Sequence, residues 1–302
     1  MGIPLLSGLV PAERHPEMTH AAPILGSMRF GSWGAKLSPT GVATLLEGAL
    51  DAGIDTLDLA DIYGDHTTNP LVGDALALRP GLRQRLHLLA KVGIVKTDSP
   101  GNPRGVQHYD LSVRHLRDAL DASLRDLRTD HVEVLMLHRF DPLLEPAAIA
   151  DWVREEQIAG RIGAFGVSNF GAHALGLFDG KLDIVGNQVE LSLANSAVIE
   201  DGTLDAIRTR GAEVQAWSPL GGGALLQPPP ALGDALALFA GEFGLDTASL
   251  LLRWVATVPD TRVVIGSTDA ARIRAAVEAC ATRLPKDAWY ALWEAARGFP
   301  VP

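Results

Sequence analysis

The chain is 302 residues long, 47% hydrophobic and 21% charged, which is enough apolar material for a sizeable buried core. With 36 acidic and 26 basic side chains its formal charge is -10, so nothing draws it to a phosphate backbone and no nucleic-acid partner is expected. Its one cysteine, Cys280, excludes internal disulfides and a cysteine-rich zinc site, and no apolar run approaches the ~20 residues of a membrane helix.

Residues 1–17 are punctuated by proline, and Arg14 follows the apolar stretch instead of preceding it, the wrong layout for a secretory signal. They read as an N-terminal extension of a cytoplasmic protein, ahead of one domain over 18–302. The first short apolar run covers 24–28. Ser38 and Pro39 then open a helix as N-cap and first-turn proline, and Gly53 closes it. A second run at 54–57 and a third at 86–90 follow. The segment 94–110 is long for a loop, rich in Gly and Pro, and carries His108 and Tyr109; it is expected to overhang a pocket. Residues 111–127 place apolar side chains at 113, 116, 120, 124 and 127, a helical period with charges opposite. Runs at 132–137, 162–167, 184–188, 213–217 and 263–265 complete the set, with Gly160 ending the helix after the fourth run. Helices are expected at 247–258 and 269–281, and an extra one at 285–297.

The runs number eight, each continuously apolar, as strands buried on both faces of a parallel sheet are. No linker, charge run or low-complexity block divides the chain. Eight β/α units match a single-domain (β/α)8 TIM barrel with an extra C-terminal helix. A doubly wound dinucleotide-binding sheet wants G-x-G-x-x-G after the first strand, and Gly26-Ser27-Met28-Arg29 does not supply it. In such a barrel the active site lies at the C-terminal ends of the strands, with phosphate often held after strands seven and eight.

That rim collects Asp58 and Tyr63 after the second run, Lys91 after the third and His138 after the fourth. Taken singly, each is more often a cap, a surface charge or a packing residue. Together they make chemical sense. A phenol with a pKa of about 10 is a poor acid at neutrality; a nearby ammonium favours the phenolate, a carboxylate holds that ammonium, and an imidazole orients a carbonyl or relays a proton. Other signals point nowhere. The nine histidines show no metal-binding spacing, so no metal is expected, and Gly166–Phe170 lacks the final glycine of a nucleophile elbow. Cys280 lies on an apolar helical face and reads as an inert core thiol.

The stretches DLADIYG at 58–64, AK at 90–91, LH at 137–138, GVSNF at 166–170, Asn187-Gln188, WSPLGGG at 217–223 and VIGSTDAAR at 264–272 occur in the order found in the aldo-keto reductase superfamily, which the chain resembles over residues 22 to 283. The HRFDP and GFPVP stretches are similar to those of a poorly characterised bacterial subfamily. The resemblance implies reduction of aldehydes or ketones with NADPH, with Tyr63 as general acid, Asp58 and Lys91 tuning it, and His138 orienting the carbonyl. It implies that Ser168, Asn169 and Gln188 hold the nicotinamide carboxamide and that Trp217 stacks on the ring. Ser218, Pro219, Leu220, Gly221 and Gly223 would meet the pyrophosphate, and Gly266, Ser267, Thr268 and Arg272 the adenosine side. Gly26, Ser27 and Met28 are implied to line the cofactor cleft, and Trp33 and Tyr109 the substrate pocket. Asn69 and Pro70 stand where the family has an acidic residue, Gly266 replaces a lysine used against a 2′-phosphate, and Ala275 and Ala276 replace polar residues facing adenine. Met28 stands where many members carry a pocket tryptophan. The partner is a small carbonyl compound, and the chain is expected to be a monomer or weak homo-oligomer. A non-catalytic nicotinamide-sensing protein and a barrel hydrolase or phosphate-binding lyase are the alternatives.

Overall fold

A computed structural model describes residues 22–99 and 102–301; the expected extension over 1–17 and the start of the expected domain fall outside the described residues. In chain order come β1 (Ile24–Gly26), α1 (Pro39–Asp51), β2 (Thr56–Ala60), α2 (Thr68–Leu78), β3 (His87–Val92), β4 (Ile94–Val95), β5 (His108–Tyr109) and α3 (Val113–Leu127). There follow β6 (Val132–Leu137), α4 (Pro146–Ile158), β7 (Ile162–Ser168), α5 (Ala172–Gly176), β8 (Gly186–Glu190), α6 (Thr203–Thr209) and β9 (Glu213–Trp217). The chain ends with α7 (Pro230–Phe243), α8 (Thr247–Thr257), β10 (Thr261–Ile265), α9 (Ala270–Cys280) and α10 (Lys286–Arg297).

Eight strands close into a barrel in the order β1-β10-β9-β8-β7-β6-β3-β2, every neighbouring pair parallel. Each of the eight apolar runs supplies one of them, so the (β/α)8 barrel expected from the sequence is the fold. The two remaining strands, β4 and β5, pair antiparallel with Ile94 opposite Tyr109. The segment expected as a plain loop therefore contains a small hairpin.

Strand limits differ from the sequence reading in one way that matters to the site. β2 continues to Ala60 and β3 to Val92, with Asp58 paired to Leu89 and Ala60 to Lys91. Asp58 and Lys91 interrupt the apolar runs, but backbone pairing carries on beneath them, so both lie within strands and not beyond their ends. Both are buried.

Helix starts follow the expected capping chemistry. Ser38 accepts a hydrogen bond from the Gly41 amide at the head of α1, and Asp246 accepts one from the Ser249 amide at the head of α8. At the far end α10 is fastened to α8 by two indoles. Trp254 and Trp289 stack at 4.8 Å, and each ring N–H donates to the other residue's backbone carbonyl. Cys280 is buried on α9, and burial pushes its thiol up to about 12, which leaves it inert. Among the described residues no single helix is long and apolar enough to cross a membrane.

Candidate active site

The barrel brings the four rim residues together. Lys91 on β3 and Asp58 on β2 form a buried ion pair, and Gln188 on β8, across the barrel, holds both. Its carboxamide oxygen accepts from Lys91 Nζ at 3.1 Å, and its Nε2 donates to Asp58 Oδ1 at 2.8 Å. The amide is therefore engaged with the charge pair. Tyr63 lies on the turn after β2, where Gly64 follows at φ 59° and gives the tight bend; a Cβ there would fall 2.8 Å from the Thr68 hydroxyl.

The Tyr63 hydroxyl donates to Asp58 Oδ2 at 3.4 Å, while Lys91 Nζ stands 5.2 Å from the centre of the ring. The sequence reading had the lysine drawing the phenol toward phenolate. The structure gives the opposite direction: burial first, then the Asp58 carboxylate, hold Tyr63 well above the usual tyrosine value. The ammonium is compensated by Asp58 and lies over the ring face, so its influence at the oxygen is muted. Tyr63 is thus a phenol held protonated. Burial, opposed by Asp58, also lowers Lys91.

His138 follows β6 with its ring 6.0 Å from that of Tyr63, edge to face. Burial, then Lys91 and Arg139, hold it well below the usual histidine value, so it is neutral, and its buried Nδ1 has no partner among the described residues. Asp61, inside the DLADIYG stretch but not singled out in the sequence, also faces this region. Its buried Oδ1 has no partner among the described residues, and burial lifts its carboxyl to about 7. Trp33 stands 6.3 Å from Tyr63, its indole N–H donating to Asp65 at 2.9 Å and Lys96 lying 5.1 Å over its ring. Tyr109 occupies the exposed hairpin strand β5, and Met28 is exposed beyond β1.

The residues expected around a nicotinamide form one chain of hydrogen bonds. Trp217 Nε1 donates to Asn169 Oδ1 at 3.0 Å, Asn169 Nδ2 to Ser168 Oγ at 2.7 Å, and Ser168 Oγ to the Gln188 carbonyl at 2.9 Å. Asn169 and Ser218 both take left-handed backbone angles, φ 59° and 56°, which cost non-glycine residues energy and collect where a site imposes them. Beyond Ser218, Pro219 and Leu220 lead into Gly221, Gly222 and Gly223, all at positive φ. The Gly221 and Gly223 amides donate to the carbonyls of Ser218 and Leu220, while around Gly222 and Gly223, among the described residues, nothing lies within 4 Å of where a Cβ would be, so a ligand can approach the backbone closely there.

Past β10, Gly266, Ser267, Thr268 and Arg272 line a cavity of about 250 Å³ together with Asp269, Gly34, Ala35 and Arg29. Arg29 was missed in the sequence; its only signal there is a cation just after the first strand, on the rim where phosphate is expected. Gly26 and Ser27 are less free than expected, since the Ser27 hydroxyl donates to the Asp58 carbonyl at 2.7 Å and Gly26 pairs with Asp58 in the sheet.

Comparison with known proteins identifies the family. The model of the aldo/keto reductase family matches residues 24–297. The chain is 35% identical over 288 residues to the uncharacterized oxidoreductase YcsN of Bacillus subtilis, covering 92% of this chain and 95% of that one. It is 34% identical to a 6-dehydroglucose reductase of Agrobacterium fabrum, again over 92% and 95% of the two chains. An aldo/keto reductase from Klebsiella pneumoniae, solved with NADP and acetate, shares the fold at a TM-score of 0.75 and 22% identity, over 93% of this chain and 92% of that chain.

Proposed function

Since this chain belongs to the aldo/keto reductase family, we propose that it reduces aldehydes or ketones to alcohols with NADPH, Tyr63 acting as general acid. The observation that carries the proposal is the Tyr63 phenol, kept protonated beside a buried Asp58–Lys91 pair and at the edge of a neutral His138.

Bound NADPH would supply a hydride to the carbonyl carbon. Everything else falls to the chain. Tyr63 gives its hydroxyl proton to the carbonyl oxygen, so that hydride and proton together convert C=O to CH–OH. The phenolate left behind lies under the Lys91 ammonium and is reprotonated before the next cycle. His138, neutral and with ring nitrogen to spare, hydrogen-bonds the same oxygen and fixes its direction.

The residues present fit the cofactor. The Asn169–Ser168–Trp217 chain supplies an amide edge and an aromatic face for the nicotinamide. The open glycine backbone at Gly222 and Gly223 suits the close approach of a pyrophosphate, and the cavity between Arg29 and Arg272 suits an adenosine 2′-phosphate. Arg29 takes the part of the cation that the family places at the position of Gly266. An Agrobacterium relative named for 6-dehydroglucose supports a hydroxylated aldehyde among the substrates. A panel of aldehydes and ketones, followed by loss of reduced-nicotinamide absorbance with NADPH and again with NADH, tests the proposal. Turnover of at least one carbonyl, faster with NADPH, is expected; a chain that binds NADPH and reduces none of the panel would contradict it.

A further inference from the structure

Arg139, the cation next to His138, helps hold that imidazole neutral but contacts none of the reacting groups. It is half-buried just past β6, with its guanidinium carbon 5.6 Å from the centre of the Trp217 ring. Other half-buried arginines have polar partners. Arg83 meets Glu133, Arg210 meets Asp179, Arg262 lies against Asp55 and Glu213, and Arg297 meets Glu200. Arg208 and Arg253 at least donate to the carbonyls of Pro259 and Ala279. Among the described residues, the Arg139 guanidinium has neither a carboxylate nor a hydrogen-bond acceptor, only the face of Trp217.

A partly desolvated cation with unused donors is costly unless something pairs with it. The charges around it leave that role open. Lys91 is paired with Asp58, Tyr63 and His138 are uncharged, and Asp61, its carboxyl lifted to about 7, makes no ion pair with Arg139 among the described residues, so the Arg139 cation is left without a contacting anion. Lying over an indole, a guanidinium keeps its N–H edge free, and that edge can bind a carboxylate through two parallel hydrogen bonds.

We propose that Arg139 is a specificity-determining residue that receives a carboxylate on the substrate, so that the site prefers carbonyl compounds bearing a negative charge near the carbonyl over neutral ones of the same shape. This rests on the carbonyl-reductase reading of the same rim and adds a substrate class to it. The guanidinium takes one face of Trp217, so a cofactor ring on the same indole would take the other.

The test compares para-carboxybenzaldehyde with para-tolualdehyde, which differ in charge and little in shape, on wild type, Arg139→Met and Arg139→Lys. In wild type kcat/KM should favour the acid by about ten- to a hundredfold, the effect of a charge-assisted pair. Arg139→Met should abolish that ratio, chiefly through KM, and Arg139→Lys should restore part of it. Raising salt should shrink the ratio in wild type. Thermal stability of Arg139→Met should hold, because no internal pair is broken, and so should its affinity for NADPH. A wild type without preference, or a variant that loses the same factor on both aldehydes, would overturn the proposal; in the second case Arg139 acts on Tyr63 and not on substrate. Loss of NADPH affinity with the ratio intact would make it a cofactor residue and equally overturn it. Should wild type reduce neither aldehyde, it is the carbonyl-reductase reading that suffers. Calorimetric titration of benzoate then decides the anion site alone: binding to wild type and not to Arg139→Met sustains it, and no binding to either ends it.

Discussion

Asp58→Asn removes one charge and keeps the shape of the side chain. In the native site Asp58 accepts hydrogen bonds from Lys91, Gln188 and Tyr63, and the Lys91 and Asp58 side chains are only 1% and 3% exposed. Among the described residues the substitution leaves the ammonium with no anion in contact and only the Gln188 side-chain oxygen, at 3.1 Å, to accept from it. Breaking a buried pair this way costs about 3–5 kcal/mol. At about 2–4 °C per kcal/mol for a chain of 150–250 residues, the fall in Tm is on the order of 10 °C. Lys91→Met strands the carboxylate instead and should cost a similar amount. The double variant removes both charges and should recover most of the loss, as apolar replacement of a buried pair commonly does. Urea and thermal unfolding of the four proteins give the cycle directly. The pH dependence carries a sign as well. Burial already holds Lys91 below its ordinary 10.5, and loss of Asp58 lowers it further. The folded variant then binds fewer protons than the unfolded chain between those two values, so its stability should rise as pH climbs toward 10.5. Additive losses in the double variant, or an Asp58→Asn protein that melts with wild type, would refute the pairing.

Asp61 gives the reverse sign. Its carboxyl is raised from 3.8 to about 7, so the folded chain keeps a proton the unfolded chain releases, and stability should fall as pH rises through that window. Asp61→Asn should flatten this decline in melts taken across the window, and an unchanged slope would count against it. At the other end of the cleft, Arg272→Met and Arg29→Met should each weaken NADPH by about ten- to two-hundredfold and hardly touch NADH, as loss of a charge-assisted hydrogen bond to a phosphate implies. Dissociation constants for both cofactors, read by tryptophan quenching, check this; equal losses for the two would make the arginines structural.

The barrel was legible because its strands are buried on both faces, which writes each as a continuous apolar run. Reading failed where that rule meets the site. Asp58 and Lys91 broke the runs, so β2 and β3 looked shorter than they are. α2 was not recognised because Thr67 makes no side-chain cap to mark its start, and the β4–β5 hairpin was hidden in a stretch whose Gly and Pro content reads as loop. The four rim residues were placed together by strand order and motif, and the structure does bring them into contact. The direction of the phenol's shift was not legible. It depends on whether Lys91 faces the hydroxyl or the ring, and on how closely Asp58 compensates it. Arg29, Asp61 and Arg139 escaped for the same reason: a sequence lists charges, but only packing reveals which ones lack partners.

The central claim is that Tyr63 delivers the proton, and single-turnover reduction by Tyr63→Phe, with enzyme and NADPH in excess over an aldehyde that wild type reduces, tests it most directly. The variant keeps the ring against His138 and Trp33 and loses only the hydroxyl. Its rate should drop by about 10²–10⁴-fold, the usual contribution of a positioned general acid, while NADPH binds as before. A variant retaining more than about a tenth of the wild-type rate, far short of that loss, would contradict the assignment.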